Sequence, residues 1–306
     1  MFFQRRGNAE TRETVFEMKG KILINAYLDS REYLYEAERL FEEFEKLGVD
    51  VSVVRLDEYP AIISDGKISI DFSADFFVYL DKDKYVLTML EKSGAKVFNN
   101  ARAIQTCDDK MSTYIALSDS GVPMPKTLPG ILCYNQNEKI KEKAVEKIEK
   151  ELAYPLIVKE SYGSLGKRVY LVKNREELLI TLETVKTKPH LLQEFIEESK
   201  GRDLRVIVVG QKYVGAMERF SDVDFRSNVG AGGKGRKADA SDEIKNLSEK
   251  IAKILNLDYC GIDFLYKDGG VTVCEVNSNA YFFTFEKVTG INVAKNFAEY
   301  ILSVLK

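Results

Sequence analysis

Two apolar, β-branched segments flank an amphipathic helix near the start of the chain, and this arrangement restricts the fold more than any other feature. The segments are KILINAY (21–27) and VDVSVVRL (49–56). Between them, leucine, alanine and phenylalanine recur at helical spacing until Gly48, a residue typical of a helix end. This order predicts a βαβ unit with parallel strands and a right-handed crossover. The sequence therefore indicates an α/β fold at this end of the chain.

The rest of the chain predicts a small first lobe followed by a larger region of helices and antiparallel hairpins. A hairpin around Asp65-Gly66 and a helix at 82–93 complete the lobe. One helix ended by Gly121 is predicted next, and later hairpins turn at 210–211 and 268–270. The glycine-rich VGAGGKGR predicts either a mobile cover or a flexible linker. The predicted parts are an extension at 1–18, an α/β domain at 19–97 and a second domain at 98–306.

Composition and charge exclude several classes of protein. The chain has 306 residues, 45% of them hydrophobic, which is enough for two or three lobes. A net charge of −3 argues against a nucleic-acid partner that binds through a basic surface. No apolar run approaches the roughly 20 residues that span a bilayer. The four cysteines show no C-x-x-C spacing, so we expect a soluble cytoplasmic protein without a membrane partner.

The chain contains one histidine, His190, next to Pro189. One histidine excludes zinc sites built from several histidines. We expect His190 to be an ordinary loop residue. General acid–base chemistry would then depend on carboxylates or lysines.

The last predicted hairpin places oxygen-bearing side chains close together. Pairing about the 268–270 turn brings Asp263 near Glu275, and Asn277 follows on the same face of the strand. Two carboxylates and an amide are ligands that Mg²⁺ prefers. The alternative is that these residues form the solvent-facing side of an amphipathic hairpin.

Two lysines favour a phosphate site over that alternative. Lys159 ends the apolar strand PLIVK, beside the loop SYGSLGK (161–167), and Lys110 lies in the polar patch CDDK. Such a lysine can reach a phosphate while backbone N–H groups of the loop surround it. The loop is not a Walker motif, and no G-x-G-x-x-G follows the first strand. Downstream, QEFIEE can present backbone groups and an apolar wall to adenine, and Asp203 can accept from ribose hydroxyls, or both lie in an ordinary edge strand and loop.

Taken in order, these stretches resemble the ATP-grasp superfamily, and most closely its RimK-like branch of α-L-glutamate ligases. The resemblance covers roughly residues 98–306, and 19–97 fits the domain that precedes it in the family. It implies a small N-terminal parallel α/β lobe followed by two α+β subdomains that clasp ATP, a lid at about 125–195 and a C-terminal part at about 196–306. The stretches that carry it are DDK, PLIVKES, QEFIEE, GRDLRVIVVG, DFRSNVGAGG, GIDFL and CEVNSNAYFFTFEKVTGINVA.

The resemblance implies an ATP-dependent carboxylate–amine ligase that forms an acyl phosphate. The implied enzyme would add glutamate or a similar amino acid to a peptide, a protein tail or a small metabolite. Two readings stay open: an ATP-grasp ligase of amino-acid or peptide natural-product biosynthesis, and a nucleotide-binding relative without catalysis. The implied cofactors are ATP and two Mg²⁺ ions, for which Mn²⁺ can substitute, and dimers or tetramers are common in the family.

The resemblance also implies residue roles. The metal ligands are Asp263, Glu275 and Asn277, and the catalytic residues are Lys159, Arg205 and Arg226. Arg205 and Arg219 are alternatively structural ion-pair partners. Arg168 replaces a glycine common in relatives and either contacts the phosphates or points outward, and Asn279 faces the acceptor. The implied nucleotide-binding residues are Lys110, Lys159, Gly163, Ser164, Gly166, Gln193, Glu194, Phe195, Ile196, Asp203, Arg226, Ser227 and Asn228.

Overall fold

The computed structural model describes residues 18–164, 166–227 and 233–306, and these pack into two compact units. The first holds 18–104 together with Tyr281–Phe283 and Asn292–Lys306, and the second holds Gln105–Ala280 and Thr284–Ile291. Residues 1–17 of the predicted extension lie outside the described residues. The predicted domain boundaries at 97/98 and 195/196 stay predictions.

The helices and strands follow one another along the chain as mixed α/β structure. Within the described ranges, no helix is long and apolar enough to cross a membrane. In chain order the elements are β1 (Lys19–Ile24), α1 (Arg31–Lys46), β2 (Asp50–Arg55), β3 (Ala61–Ser64), β4 (Lys67–Ile70), β5 (Phe76–Leu80), α2 (Lys84–Lys92), β6 (Val97–Phe98), α3 (Ala101–Asp108), α4 (Lys110–Leu117), β7 (Thr127–Pro129), α5 (Glu142–Glu151), β8 (Leu156–Glu160), β9 (Val169–Val172), α6 (Arg175–Val185), β10 (His190–Glu194), β11 (Arg202–Val209), β12 (Lys212–Phe220), β13 (Lys234–Ala238), α7 (Asp242–Ile254), β14 (Tyr259–Lys267), β15 (Gly270–Asn277), α8 (Phe283–Thr289) and α9 (Val293–Leu305).

The first unit is built on a parallel sheet with the strand order β2-β1-β5-β6. Its βαβ start confirms the prediction from the apolar pattern. Ser30 caps α1 by accepting from the Tyr33 amide, and Leu40 and Phe44 bury the apolar face of the helix. The helix ends before Gly48, whose φ of +74° suits glycine. The β3–β4 hairpin around Asp65-Gly66 is also confirmed.

Glu43 on α1 is a buried acid, and hydrogen-bond donors of the first unit keep its carboxylate ionised. Its carboxylate accepts from Arg39, Lys46 and the Asn292 amide at the start of α9. Burial raises the pKa of Glu43, but these donors outweigh burial and lower it to about 2. The carboxylate therefore stabilises the packing of α1 in its ionised form.

The second unit contains two antiparallel sheets that carry the predicted site residues. The first sheet has the order β7-β10-β8-β9, and α5 and α6 cover it with a core that includes Ile148, Leu182 and Leu192. The second sheet has the order β13-β12-β11-β14-β15. Both predicted hairpins of this sheet are confirmed, with turns at Gly210-Gln211 and at Asp268-Gly269.

The prediction of one helix ended by Gly121 is wrong. The helix is interrupted at Asp109, whose backbone is extended. Its carboxylate accepts from the backbone amides of Met111 and Ser112. Such a cap starts a new helix, so α3 ends at Asp108 and α4 begins at Lys110. The new helix ends at Leu117 rather than near Gly121. Lys110 consequently lies in the first turn of α4.

Three further features differ from the sequence-based expectation. His190 is the first residue of β10 and is buried, so it is not a loop residue. Its Nδ1 lies 2.8 Å from the Lys188 carbonyl oxygen. Residues 234–238 form β13, which pairs with β12. The glycine-rich composition of this segment did not indicate a strand, but pairing with β12 supplies hydrogen-bond partners for its backbone. Residues 228–232 of the predicted cover lie outside the described residues. Helix α8 was not predicted.

Candidate functional site

A cavity of about 110 Å³ in the second unit is lined by both of its sheets. Arg205 and Asn277 do not line it, but Arg205 contacts Asp263 and Asn277 pairs with Gly261. Asn228 lies outside the described residues. The predicted residues that the structure brings together around this cavity are Lys110, Lys159, Gly163, Ser164, Gly166, Gln193, Glu194, Phe195, Ile196, Asp203, Arg226, Ser227, Asp263 and Glu275.

Lys159 stands inside this cavity on the central strand β8. The side chain is buried, and its Nζ donates to Gln193 Oε1 at 2.8 Å. Gln193 is held in turn because its amide donates to Thr127 Oγ1. The same Nζ lies 3.8 Å from Cys274 Sγ on β15. The lysine therefore bridges the two sheets at the point where β15 begins its acidic end.

Lys110 approaches the same point from α4. Its Nζ donates to the Gly163 carbonyl at 2.7 Å and lies 3.2 Å from Glu275 Oε1. Its backbone amide donates to the Ser161 carbonyl. One lysine thus holds the glycine loop and contacts the acidic strand. Two ammonium groups beside a glycine loop suit the binding of phosphate groups.

The acidic end of β15 has the register that the sequence predicts. Asp263 pairs with Glu275 across the two strands, next to a bulge between Asp263 and Phe264. Asn277 follows Glu275 on the same face. Two carboxylates and an amide supply the oxygen donors that a hard cation takes, so their chemistry fits Mg²⁺. Over the ranges that the structure covers, no group of three or more His, Cys, Asp or Glu side chains is arranged to hold a metal ion.

Two arginines, the half-buried Arg205 and the buried Arg219, hold the carboxylates behind this end. Arg205 donates to both oxygens of Asp263, at 2.7 and 2.8 Å, and Arg219 lies 2.8 Å from the same carboxylate. Arg219 also donates to both oxygens of Asp203. Burial raises the pKa of Asp263, but the two guanidinium groups hold it below its usual range. A cation would therefore share Asp263 with two guanidinium groups.

Asp203 is placed beside the cavity but is strongly engaged. Its carboxylate accepts from Arg219 and from the Ser227 hydroxyl. Three donors leave roughly one of the four acceptor positions of a carboxylate. Any ribose contact would use that one position.

Arg226 connects the 221–227 segment to the glycine loop. Its guanidinium donates to the carbonyl of Gly166 and to the carboxylate of Asp224. The bond to Asp224 outweighs burial and raises the pKa of Arg226. Arg168, where relatives usually carry a glycine, makes a different contact. It donates to the buried carboxylate of Glu160 at 2.8 Å. The departure from the usual glycine thus adds an ion pair at the base of the loop.

The opposite end of the cavity has an apolar wall and a charged rim. Phe195 and Phe225 meet edge to face, with ring centroids 6.4 Å apart. Glu194 accepts from Lys267 Nζ at 2.8 Å and from the Lys126 amide. Burial raises the pKa of Glu194, but these donors hold it below its usual range. An adenine ring would find an apolar face and nearby backbone groups here.

Several residues of this cavity were missed by the sequence reasoning. Phe225, Cys274 and Arg202 line it, and Arg202 lies over the Tyr266 ring at 4.7 Å. Phe225 and Cys274 are direct neighbours of predicted residues, so that adjacency was the available signal. Arg202 is likewise the direct neighbour of the predicted residue Asp203. Asn279 is half-buried and does not line the cavity.

The chain matches known proteins over most of its length. The RimK-like ATP-grasp domain matches residues 107–301. Beta-citrylglutamate synthase B from Danio rerio is 34% identical over 275 residues, covering 84% of this chain and 66% of the relative. N-acetylaspartylglutamate synthase A from Mus musculus is 35% identical over 259 residues, covering 84% of this chain and 62% of the relative. The chain thus spans a little less than two thirds of these relatives.

A solved structure supports the fold. It is the ATP-grasp ligase PsnB complexed with a phosphomimetic variant of its minimal precursor, Mg and ADP. The TM-score is 0.66 at 19% identity, with 95% of this chain and 100% of that chain covered. At this identity the likeness shows the fold alone, and the family rests on the domain match and the curated relatives. Together with the two-sheet cavity and its lysines, these matches show that the chain belongs to the RimK-like ATP-grasp family.

Proposed function

We propose that the chain is an ATP-dependent carboxylate–amine ligase that forms an amide bond through an acyl phosphate. The observation that carries the proposal is the meeting of Lys110, Lys159 and the Asp263–Glu275 pair in one cavity. Cations opposed to oxygen ligands in a partly enclosed site suit a polyphosphate with its metal. The curated relatives are named as synthases of glutamate conjugates, which supports an amide product.

The proposed reaction has two steps. A carboxylate oxygen of the first substrate attacks the γ-phosphorus of ATP, the bond to ADP breaks, and an acyl phosphate forms. The amine nitrogen then attacks the acyl carbon, and the carbon–oxygen bond to phosphate breaks. The amine loses a proton, and the products are an amide, ADP and phosphate. Phosphorylation is required because oxide is too poor a leaving group for direct attack on a carboxylate.

This chain's own residues would mainly orient groups and stabilise charge. Lys110 and Lys159 would hold the ATP phosphates under the loop at Gly163 and Gly166. Arg226 would keep that loop in place and stabilise charge on the acyl phosphate, with Arg205 as its partner in this role. Preorganised cations of this kind supply much of the catalysis of phosphoryl transfer. His190 does not line the cavity, so the proposal assigns it no proton transfer.

The proposed metal site uses Asp263, Glu275 and Asn277. These residues would hold two Mg²⁺ ions, and Mn²⁺ would substitute. When bound, the ions neutralise phosphate charge. Arg205 and Arg219 keep Asp263 ionised and oriented toward the cavity.

The proposed adenosine site lies at the apolar end. Gln193 to Ile196 would contact adenine, and Asp203 would accept from the ribose hydroxyls. Ser227, which donates to Asp203, would line the ribose side of the site. Glutamate or a similar amino acid is the proposed amine. Citrate and N-acetylaspartate are candidate carboxylates, because the relatives are named for conjugates of these acids. A cytoplasmic location and self-association stay predictions.

A substrate screen tests the proposal. The protein is incubated with ATP, Mg²⁺, glutamate and either citrate, N-acetylaspartate or a pool of peptide carboxylates. We expect one carboxylate to give a new mass equal to acid plus glutamate minus water, with one ADP released per product. Glu275→Gln is expected to abolish the product. Nucleotide binding by calorimetry without turnover in any pool would instead indicate a relative without catalysis.

A further inference from the structure

A second and larger cavity, of about 380 Å³, lies on the other face of β10 from the cavity around Lys159, which we call the nucleotide cavity. Leu192 and His190 line the second cavity, whereas Gln193 lines the first. This follows from the alternation of side chains along a strand. None of the residues given a role in the ligase reaction lines the second cavity. Its volume falls in the range of small-molecule sites, about 300–1,000 Å³.

The walls of this cavity are apolar and continue into the core of the first sheet. Ile148, Leu182 and Leu192 belong to the hydrophobic core that α5 and α6 form over the sheet. Leu128 and Ile140 pack against that core and also line the cavity. A hydrophobic chain entering here would contact side chains that are otherwise largely buried. Burial of that chain would remove apolar surface from water and thereby favour binding.

Large hydrophobic side chains stand at the mouth of the cavity. Ile131 is 54% exposed and Tyr134 is 94% exposed, and both line the cavity together with Leu132. They lie in the segment between β7 and α5. Contiguous exposed hydrophobic residues beside a cavity are typical of a ligand or partner site.

The charge around the mouth selects the kind of ligand. Four lysines line the cavity against a single glutamate, in a chain whose net charge is −3. Lys186 is engaged inside, because its Nζ donates to the Glu138 carbonyl and to Glu183. Lys139, Lys141 and Lys147 are exposed around the opening, and Lys141 lies 3.6 Å from the Glu138 carboxylate. A cationic rim around an apolar cavity complements a molecule with an acidic head and a hydrophobic tail.

We propose that this cavity binds a single-chain amphipathic carboxylate. The hydrophobic tail lies against Ile148, Leu182 and Leu192, and the carboxylate is held by the exposed lysines of the rim. This site is separate from the ligase site and does not depend on the proposed ligase activity.

The test is a calorimetric titration of the protein with decanoate. We expect one saturable site per chain and no comparable binding of decyltrimethylammonium, whose head has the opposite charge. Ala144→Trp would fill the mouth from α5 and lower the affinity by at least about tenfold, since several methylene contacts are lost. Leu132→Glu, on the exposed loop, has the same expected effect and covers the case in which the tryptophan variant does not fold.

The charge of the rim is tested separately, at Lys139 in the segment between β7 and α5 and at Lys147 on α5. Lys139→Glu and Lys147→Glu are each expected to weaken decanoate binding by about threefold. Lys150→Glu makes the same charge change on α5 outside the cavity, and we expect it to bind like the wild type. Absence of saturable binding, or unchanged affinity in both Ala144→Trp and Leu132→Glu, would overturn the proposal. So would equal binding of the cationic amphiphile, or a wild-type dimer by light scattering that Ala144→Trp dissociates.

Discussion

Replacing Lys159 by alanine is expected to lower kcat/KM for ADP release by about 10²–10³-fold. The ammonium group stands in the cavity beside Gln193 and Cys274, and it is proposed to hold phosphate oxygens as charge moves in the transfer. Gln193 keeps its bond to Thr127 in the variant, so the walls of the cavity should stay in place. The measurement is steady-state ADP release with the carboxylate and amine identified by the screen.

Lys188→Ala provides the matched control for this variant. Lys188 lies in the same lobe and pairs with the buried Glu160 at 3.1 Å. It does not line the nucleotide cavity. We expect its kcat/KM to stay within about threefold of the wild type, because Arg168 still pairs with Glu160. If Lys159→Ala and Lys188→Ala lose activity equally, the proposed role of Lys159 is wrong.

Replacing Arg219 by leucine is expected to lower the free energy of unfolding of the second unit by about 3–5 kcal/mol. Arg219 is only 4% exposed and lies between Asp203 and Asp263. Burial lowers the pKa of Arg219, but the two carboxylates outweigh burial and raise it well above its usual range. Without Arg219, the buried Asp203 carboxylate keeps the hydrogen bond from the Ser227 hydroxyl but loses its cationic partner. Denaturant unfolding, followed by a probe in this unit, measures the change.

Arg236→Leu is the control for the loss of an arginine–carboxylate pair. Arg236 pairs with Glu218 on the neighbouring strand, but its side chain is 69% exposed. We expect its loss to change the free energy of unfolding by less than about 1 kcal/mol, since an ion pair whose guanidinium lies largely in solvent contributes little. The double variant Asp203→Leu with Arg219→Leu should recover part of the stability, because it removes the uncompensated charge. Equal effects of Arg219→Leu and Arg236→Leu would contradict a buried structural network.

Local patterns predicted most of the elements because each signal lies within one stretch of chain. The apolar spacing that ends at Gly48 was enough to predict α1. The break at Asp109 was missed because an aspartate inside a helical pattern acts as a cap only when its side chain turns back to the following amides. Strand β13 was missed because glycine and lysine have weak strand preferences, and pairing with β12 decides its state.

The same distinction explains what could be predicted of the site. The proximity of Asp263 and Glu275 followed from one hairpin, whose turn sets the register. The sequence left Arg205 and Arg219 open between catalysis and ion pairing, and the structure shows that both form ion pairs with Asp263. A catalytic role for Arg205 stays a proposal. These contacts depend on the order β12-β11-β14 in the sheet, which no single stretch encodes.

The most direct test of the proposed acyl phosphate is the fate of oxygen in the substrate carboxylate. The carboxylate found in the screen is labelled with oxygen-18 at both oxygens of its reacting group, and the reaction runs in unlabelled water. We predict that the released phosphate carries one labelled oxygen and that the amide product keeps the other. Phosphate without label, formed alongside an amide, would show that the carboxylate oxygen never attacks ATP and would contradict the proposed mechanism.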